Sequence, residues 1–157
     1  AGIAAITHPD LRWARRDLKT TMLLPAVLAK RAAKDRGAAE ALLVGEDGLV
    51  HEGASSNVMI VEGGAVITPA QDSTLLPGTM RLLLTEVARE ASVPLRSEPL
   101  PLERLRAASE VFVTSSSQLA MPVVSLDGQP IGGGVGGPVA RDLARRLRAR
   151  LELDEAG

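Results

Sequence analysis

Ala41-Leu42-Leu43-Val44, Leu49-Val50-His51-Glu52, Asn57-Val58-Met59-Ile60-Val61 and Ala65-Val66-Ile67-Thr68 follow one another between residues 41 and 68. Each run is too short for a helix, and turn signals separate them at Glu46-Asp47-Gly48 and Glu62-Gly63-Gly64. The spacing predicts antiparallel strands joined by tight turns. On the N-terminal side, residues from Thr21 to about Arg36 carry Leu23, Val27 and Leu24, Leu28 at four-residue spacing, with Ala26, Ala29 and Ala33. That is an apolar helix stripe ending at Gly37. Pro25 fits only a first turn, because proline lacks the N–H an interior position must donate, so the helix should begin within a few residues of Lys19.

On the C-terminal side a second helix runs from Thr79 to Ala91, with Leu83, Val87 and Ala91 on one face. A short helix over Pro99 to Ala108 follows, then the strand Glu110 to Thr114, the loop Ser115 to Gln118, a strand around Pro122 to Leu126, a turn at Asp127-Gly128 and a closing helix from Pro138 to about Leu151. The expected fold is a single α/β domain of strands with flanking helices. Ala1 to Thr7 reads as a strand entered midway, so the chain is expected to be one domain of something longer.

Composition removes several classes of function. Trp13 and Phe112 are the only aromatic residues and the net charge is −1, so there is little for nucleobases to stack on and no general attraction to a phosphate backbone. Without cysteine there is no disulfide, thiolate nucleophile or cysteine-held zinc. No apolar run approaches the ~20 residues that span a bilayer, and a signal-peptide pattern is missing, which makes the cytosol the default expectation. His8 and His51 are too few and too distant in sequence for a metal site, and His51 should point away from Glu52 along its strand. There is no G-x-S-x-G elbow. Gly132, Gly134 and Gly137 satisfy G-x-G-x-x-G, but they follow a turn and no second parallel strand remains to offer a ribose-binding acid. Arg141, Arg145, Arg146, Arg148 and Arg150 read as a solvated face near Glu152 and Asp154.

The chemistry-bearing residues lie elsewhere. Lys19 follows the alternating stretch Trp13 to Leu18; a neutral lysine amine condenses with a carbonyl, and the positive end of a following helix favours the neutral form. Glu52 ends an apolar strand, where a carboxylate can keep a pyridine nitrogen protonated. Leu76-Pro77-Gly78-Thr79-Met80-Arg81 offers unpaired amides at a helix start, which suit an anion. Thr114-Ser115-Ser116-Ser117 adds hydroxyls. Taken singly, these are equally a solvated lysine, an exposed strand-end carboxylate, an ordinary cap and a polar loop.

In order along the chain, Asp17-Leu18-Lys19, Glu52-Gly53-Ala54-Ser55-Ser56-Asn57, Leu76 to Arg81 and Val113 to Ser117 resemble the successive motifs of class IV aminotransferases, the fold-type IV pyridoxal-phosphate enzymes. The resemblance covers about Leu11 to Leu147, and Leu24-Pro25-Ala26-Val27-Leu28-Ala29-Lys30 is similar to the D-amino-acid branch. It implies an α/β fold with a barrel-like mixed or antiparallel sheet and flanking helices, pyridoxal 5'-phosphate as cofactor, amino-acid and 2-oxo-acid substrates, and a homodimer. It implies Lys19 as the condensing amine and proton carrier, Glu52 at the pyridine nitrogen and Arg12 near the ring hydroxyl. Leu76 would lie beneath the ring, the Thr79 and Met80 amides on the phosphate with Ser116 or Ser117 in support, and Ser55 and Asn57 along the same side. Met80 stands where threonine is common, a feature shared with aminodeoxychorismate lyases, and Ala54 removes a hydroxyl. Branched-chain aminotransferases usually carry a Gly-Thr-Ala-like loop where this chain has Ser115-Ser116-Ser117. The family's N-terminal domain has no counterpart here, so an inactive isolated domain is the other expectation.

Overall fold

The computed structural model describes residues 2–151. Its elements are β1 (Ile3–Pro9), α1 (Leu24–Asp35), β2 (Glu40–Val44), β3 (Val50–Gly53), β4 (Asn57–Glu62), β5 (Ala65–Thr68), α2 (Thr79–Glu90), β6 (Leu95–Ser97), α3 (Leu102–Ala107), β7 (Glu110–Ser115), β8 (Leu119–Leu126), β9 (Gln129–Pro130) and α4 (Pro138–Arg150). The strands form one mixed sheet in the order β3-β2-β1-β8-β7-β4-β5-β6, with β9 on β8. β1 runs parallel to both β2 and β8, and β5 runs parallel to β6. The sheet curls into a half-barrel, bringing the end of β3 back beside the start of β4, where the Gly53 amide donates to the Ser56 carbonyl at 2.7 Å.

Four strands between residues 41 and 68 form as expected, in two antiparallel pairs, β2/β3 and β4/β5. β3 and β4, although joined by a tight turn, do not pair with each other: β4 takes β7 as its other neighbour, and β3 closes the end of the sheet beyond β2. A turn makes neighbours of two strands only if their free edges match, and those edges are claimed by residues far along the chain. The runs are continuously apolar because both faces are covered. Val58 and Ile60 of β4 face a cluster with Leu105 of α3, whereas Met59 and Val61 face α2 and α4 through Leu84, Val87, Leu143 and Leu147.

α1 opens at Leu24, later than expected, with Pro25 in its first turn. It buries Ala29 and Ala33 against Ile6, Ala41 and Leu43, while Leu23, Leu24, Val27 and Leu28 are each more than half exposed. The expected leucine stripe is therefore not the packed face, because alanine lets helix and sheet approach closely. β8 begins at Leu119, before Pro122, and the short β6 and β9 carry too few residues to show an apolar period.

α4 follows the glycine-rich segment, and among the described residues no strand comes after it. Of the arginine face, Arg145 and Arg146 pair with Asp142, and Arg150 reaches Glu86 and Glu90 of α2; Glu152 and Asp154 lie outside the described residues.

Gly137 caps α4 without a side chain, and Glu110 of β7 supplies the missing acceptors from across the fold. Its carboxylate accepts from the Val139 and Ala140 amides at 3.0 and 2.9 Å, and a Cβ at Gly137 would collide with it. Glu110→Ala strands two first-turn donors and removes an anion from the positive helix end. We expect a loss of about 2–4 kcal/mol, measured by urea unfolding.

Candidate active site

Four segments converge on one cavity: the irregular loop from Asp10 to Leu23, the β3–β4 turn, the start of α2 and the end of β7. They enclose a cavity of about 540 Å³. Arg12, Lys19, Glu52, Ser55, Asn57, Leu76, Thr79, Met80 and Ser116 all line it. Ser117 does not, its hydroxyl lying 3.3 Å from that of Ser115, which does. The Trp13 to Leu18 stretch is irregular, with a turn at Arg16-Asp17, and Lys19 is exposed at the cavity wall ahead of α1. Since α1 starts at Leu24, Lys19 is not on its first turn, and the expected influence of that helix end on the amine has no support from the geometry.

Glu52 is buried and well satisfied. It receives hydrogen bonds from Arg12 Nη1, from Asn57 Nδ2 at 3.1 Å and from the Leu76 amide at 3.1 Å. Burial nonetheless lifts its carboxyl above the ordinary value, outweighing the pull of Arg12 and the Leu76 amide. Asn57 also donates to the Leu76 carbonyl at 3.0 Å, tying the β3–β4 turn to the segment that leads into α2. Behind the turn, the fully buried Glu40 accepts from Ser56 Oγ at 2.8 Å and pairs with Lys30 at 3.1 Å. Arg12 is held by Asp10 on its other side; burial opposes its charge, but the hydrogen bonds and attraction of Asp10 and Glu52 win and raise its pKa.

Asp10, Arg16, Glu40 and Trp13 belong to this region without standing out in the sequence as site residues, whereas Thr114 heads the run of hydroxyls read from the sequence. No spacing rule links Asp10 or Glu40 to a cavity, because both meet it through partners distant in the chain. Arg16, Trp13 and Thr114 line the cavity directly, and adjacency to the Arg12–Lys19 and Thr114–Ser117 segments is the signal available for them. His51, expected to turn away, does not line the cavity and instead meets Asp10 behind Arg12.

The donor set suits pyridoxal phosphate. An amine-bearing wall stands with a buried carboxylate in the same cavity, the first-turn amides of Thr79 and Met80 have no intrahelical acceptor, and the buried Thr114 hydroxyl has no hydrogen-bond partner. No group of His, Asp and Glu among the described residues could hold a metal ion.

Residues 3–126 match the family model for amino-transferase class IV. The chain belongs to the class IV aminotransferases. This class IV aminotransferase chain is 36% identical over 155 residues to the D-alanine aminotransferase of Bacillus licheniformis, covering 99% of this chain and 54% of that protein. It is 39% identical to the enzyme of the same name from Staphylococcus haemolyticus, over 96% of this chain and 53% of that one. It also superposes with a TM-score of 0.87 on a T.th. branched-chain amino acid aminotransferase complexed with N-(5'-phosphopyridoxyl)-L-glutamate, at 31% identity, covering 98% of this chain and 53% of the other. The chain thus spans about half the length of the relatives it matches.

Gly78 is the N-cap of α2, and any Cβ there would strike Asn57 Oδ1. Gly78→Ala must therefore displace Asn57 from Glu52 and Leu76 or shift the helix start. Phosphate-bearing ligands should bind about tenfold more weakly, consistent with one disrupted hydrogen-bond cluster, as read by titration with pyridoxamine phosphate.

Proposed function

We propose that this chain is the cofactor-binding half of a pyridoxal-phosphate-dependent transaminase that moves an amino group from an amino acid, D-configured, to a 2-oxo acid. One observation carries the reading: Lys19 and Glu52 line one cavity together with the amide-bearing start of α2. When bound, pyridoxal phosphate supplies an aldehyde for an amine to condense with and a ring that withdraws electrons from the substrate's α-carbon.

In this reading the Lys19 amine is the condensing group and then carries the proton to and from the α-carbon. Glu52, kept in place by Asn57 and the Leu76 amide, holds the ring nitrogen protonated. Leu76 provides the apolar floor. The Thr79 and Met80 amides hold the phosphate with Ser116 in support, and Ser55 and Asn57 border the same side. Arg12 serves the ring hydroxyl, with its Nη1 shared with Glu52. Groups for the substrate carboxylate come from an N-terminal domain outside this chain, so the chain alone binds cofactor without turnover. The assembly is a homodimer in the cytosol. The D-configuration rests on the likeness to D-alanine aminotransferases.

Titration with pyridoxal phosphate should give a visible absorption band, and borohydride followed by peptide mapping should fix the label on Lys19. A label on another lysine, or no label, would overturn the reading. Met80 favours aminodeoxychorismate lyase as a second reading; release of pyruvate without a 2-oxo-acid acceptor, from a chain extended to its relatives' length, would select it.

A further inference from the structure

The loop after β1 holds a buried carboxylate that the proposed chemistry does not use. The Asp10 side chain is fully buried. It accepts from Arg12 Nε at 2.9 Å and Nη2 at 2.8 Å, from the Arg12 amide at 3.2 Å and from His51 Nδ1 at 2.8 Å, and Arg16 Nε lies 3.2 Å away. The contact with Arg12 is the two-pronged fork in which a planar guanidinium meets both oxygens of one carboxylate. That fork fixes the guanidinium plane and leaves Nη1 as the edge that reaches Glu52.

We infer that Asp10 is a positioning residue: by clamping Arg12 through Nε and Nη2 it fixes Nη1 on Glu52, and so sets the carboxylate that faces the cofactor's ring nitrogen. This rests on the cofactor reading above. Arg12 bridges two carboxylates from different strands' ends, one outside the cavity and one lining it. With asparagine at position 10 only one oxygen remains, and the amide N–H₂ in place of the other meets a donor where an acceptor is needed. Arg12 then loses the fork and Glu52 loses a fixed cation.

The test uses the 157-residue chain with Asp10→Asn, Glu52→Gln, the double variant, and the core variant Leu147→Ala as a stability control. The Arg12 Nε–H resonance should be protected from exchange in the parent chain and lost in Asp10→Asn. Affinity for pyridoxal phosphate should fall at least about tenfold in Asp10→Asn and stay within about twofold of the parent in Leu147→Ala. In the Glu52→Gln background, Asp10→Asn should cost less than about a further twofold, because the path through Glu52 is already cut. Parent-like affinity in Asp10→Asn, or an equal loss with and without Glu52, would overturn the inference. If the parent binds no pyridoxal phosphate, the cofactor reading fails; the clamp is then judged by the Arg12 signal alone, and an unchanged signal in Asp10→Asn overturns it. Should Asp10→Asn not fold, Arg12→Lys, which keeps the charge but not the fork, must show the same affinity loss and the same dependence on Glu52.

Discussion

Lys19→Ala is expected to lower transamination by at least about 10³-fold in a chain extended to its relatives' length, because the function proposed above has one amine both condense with the cofactor and carry the α-carbon proton. Lys19→Arg should be as inactive, since a guanidinium keeps the positive charge but does not condense with an aldehyde or release a proton near neutral pH. Neither change should move stability by more than about 0.5 kcal/mol, as Lys19 is exposed. The measurements are initial rates with D-amino-acid donors and 2-oxo-acid acceptors, alongside thermal melts. Turnover within about tenfold of the parent in Lys19→Ala would remove Lys19 from the chemistry.

Glu52→Gln is expected to reduce turnover by roughly 10²–10³-fold, the size seen when one preorganised electrostatic partner is removed from a reacting centre. Gln retains an acceptor for Asn57 and the Leu76 amide, while its N–H₂ takes the place of the oxygen that accepts from Arg12 Nη1, so the loss reports the charge together with its pairing to Arg12. The stability of the ligand-free chain should respond in the opposite direction near neutral pH. Burial raises the folded-state pKa of Glu52 above its ordinary 4.5, so the stability it contributes is present below that value and lost as pH rises through the raised folded value. Asp10 acts the other way. Burial favours its neutral form, but hydrogen bonds from Arg12 and His51 prevail and hold it well below 3.8. Its contribution is present above 3.8 and is lost as pH falls below it toward the folded value. Urea midpoints across acid to neutral pH should therefore fall less on the upper side in Glu52→Gln than in the parent. An unchanged pH profile would show that Glu52 titrates alike in folded and unfolded chains.

Leu76, Gly78, Glu52 and Lys19 are legible as candidates because each sits in a short motif whose meaning is local: a strand end, a proline-glycine helix start, a lysine after an arginine-rich stretch. The strands between residues 41 and 68 are legible for the same reason, since β-branched runs broken by glycine turns specify extended backbone whatever surrounds them. Ser117 continues the same serine run, and a local pattern of hydroxyls does not say which of them border the cavity. Asp10 and Glu40 stay invisible because a buried carboxylate looks like any surface acid until its arginine, lysine or serine partners arrive from elsewhere.

By itself, then, the order of residues determined the longer elements, the motif series and the membership in class IV aminotransferases that those motifs imply. The tertiary structure decided which strand edges meet, which face of α1 packs, and that Asp10, Arg12 and Glu52 form one connected unit. The reason is physical: backbone preference and turn chemistry act over a few residues, whereas edge pairing, close helix approach and the burial of charge depend on groups dozens of positions apart.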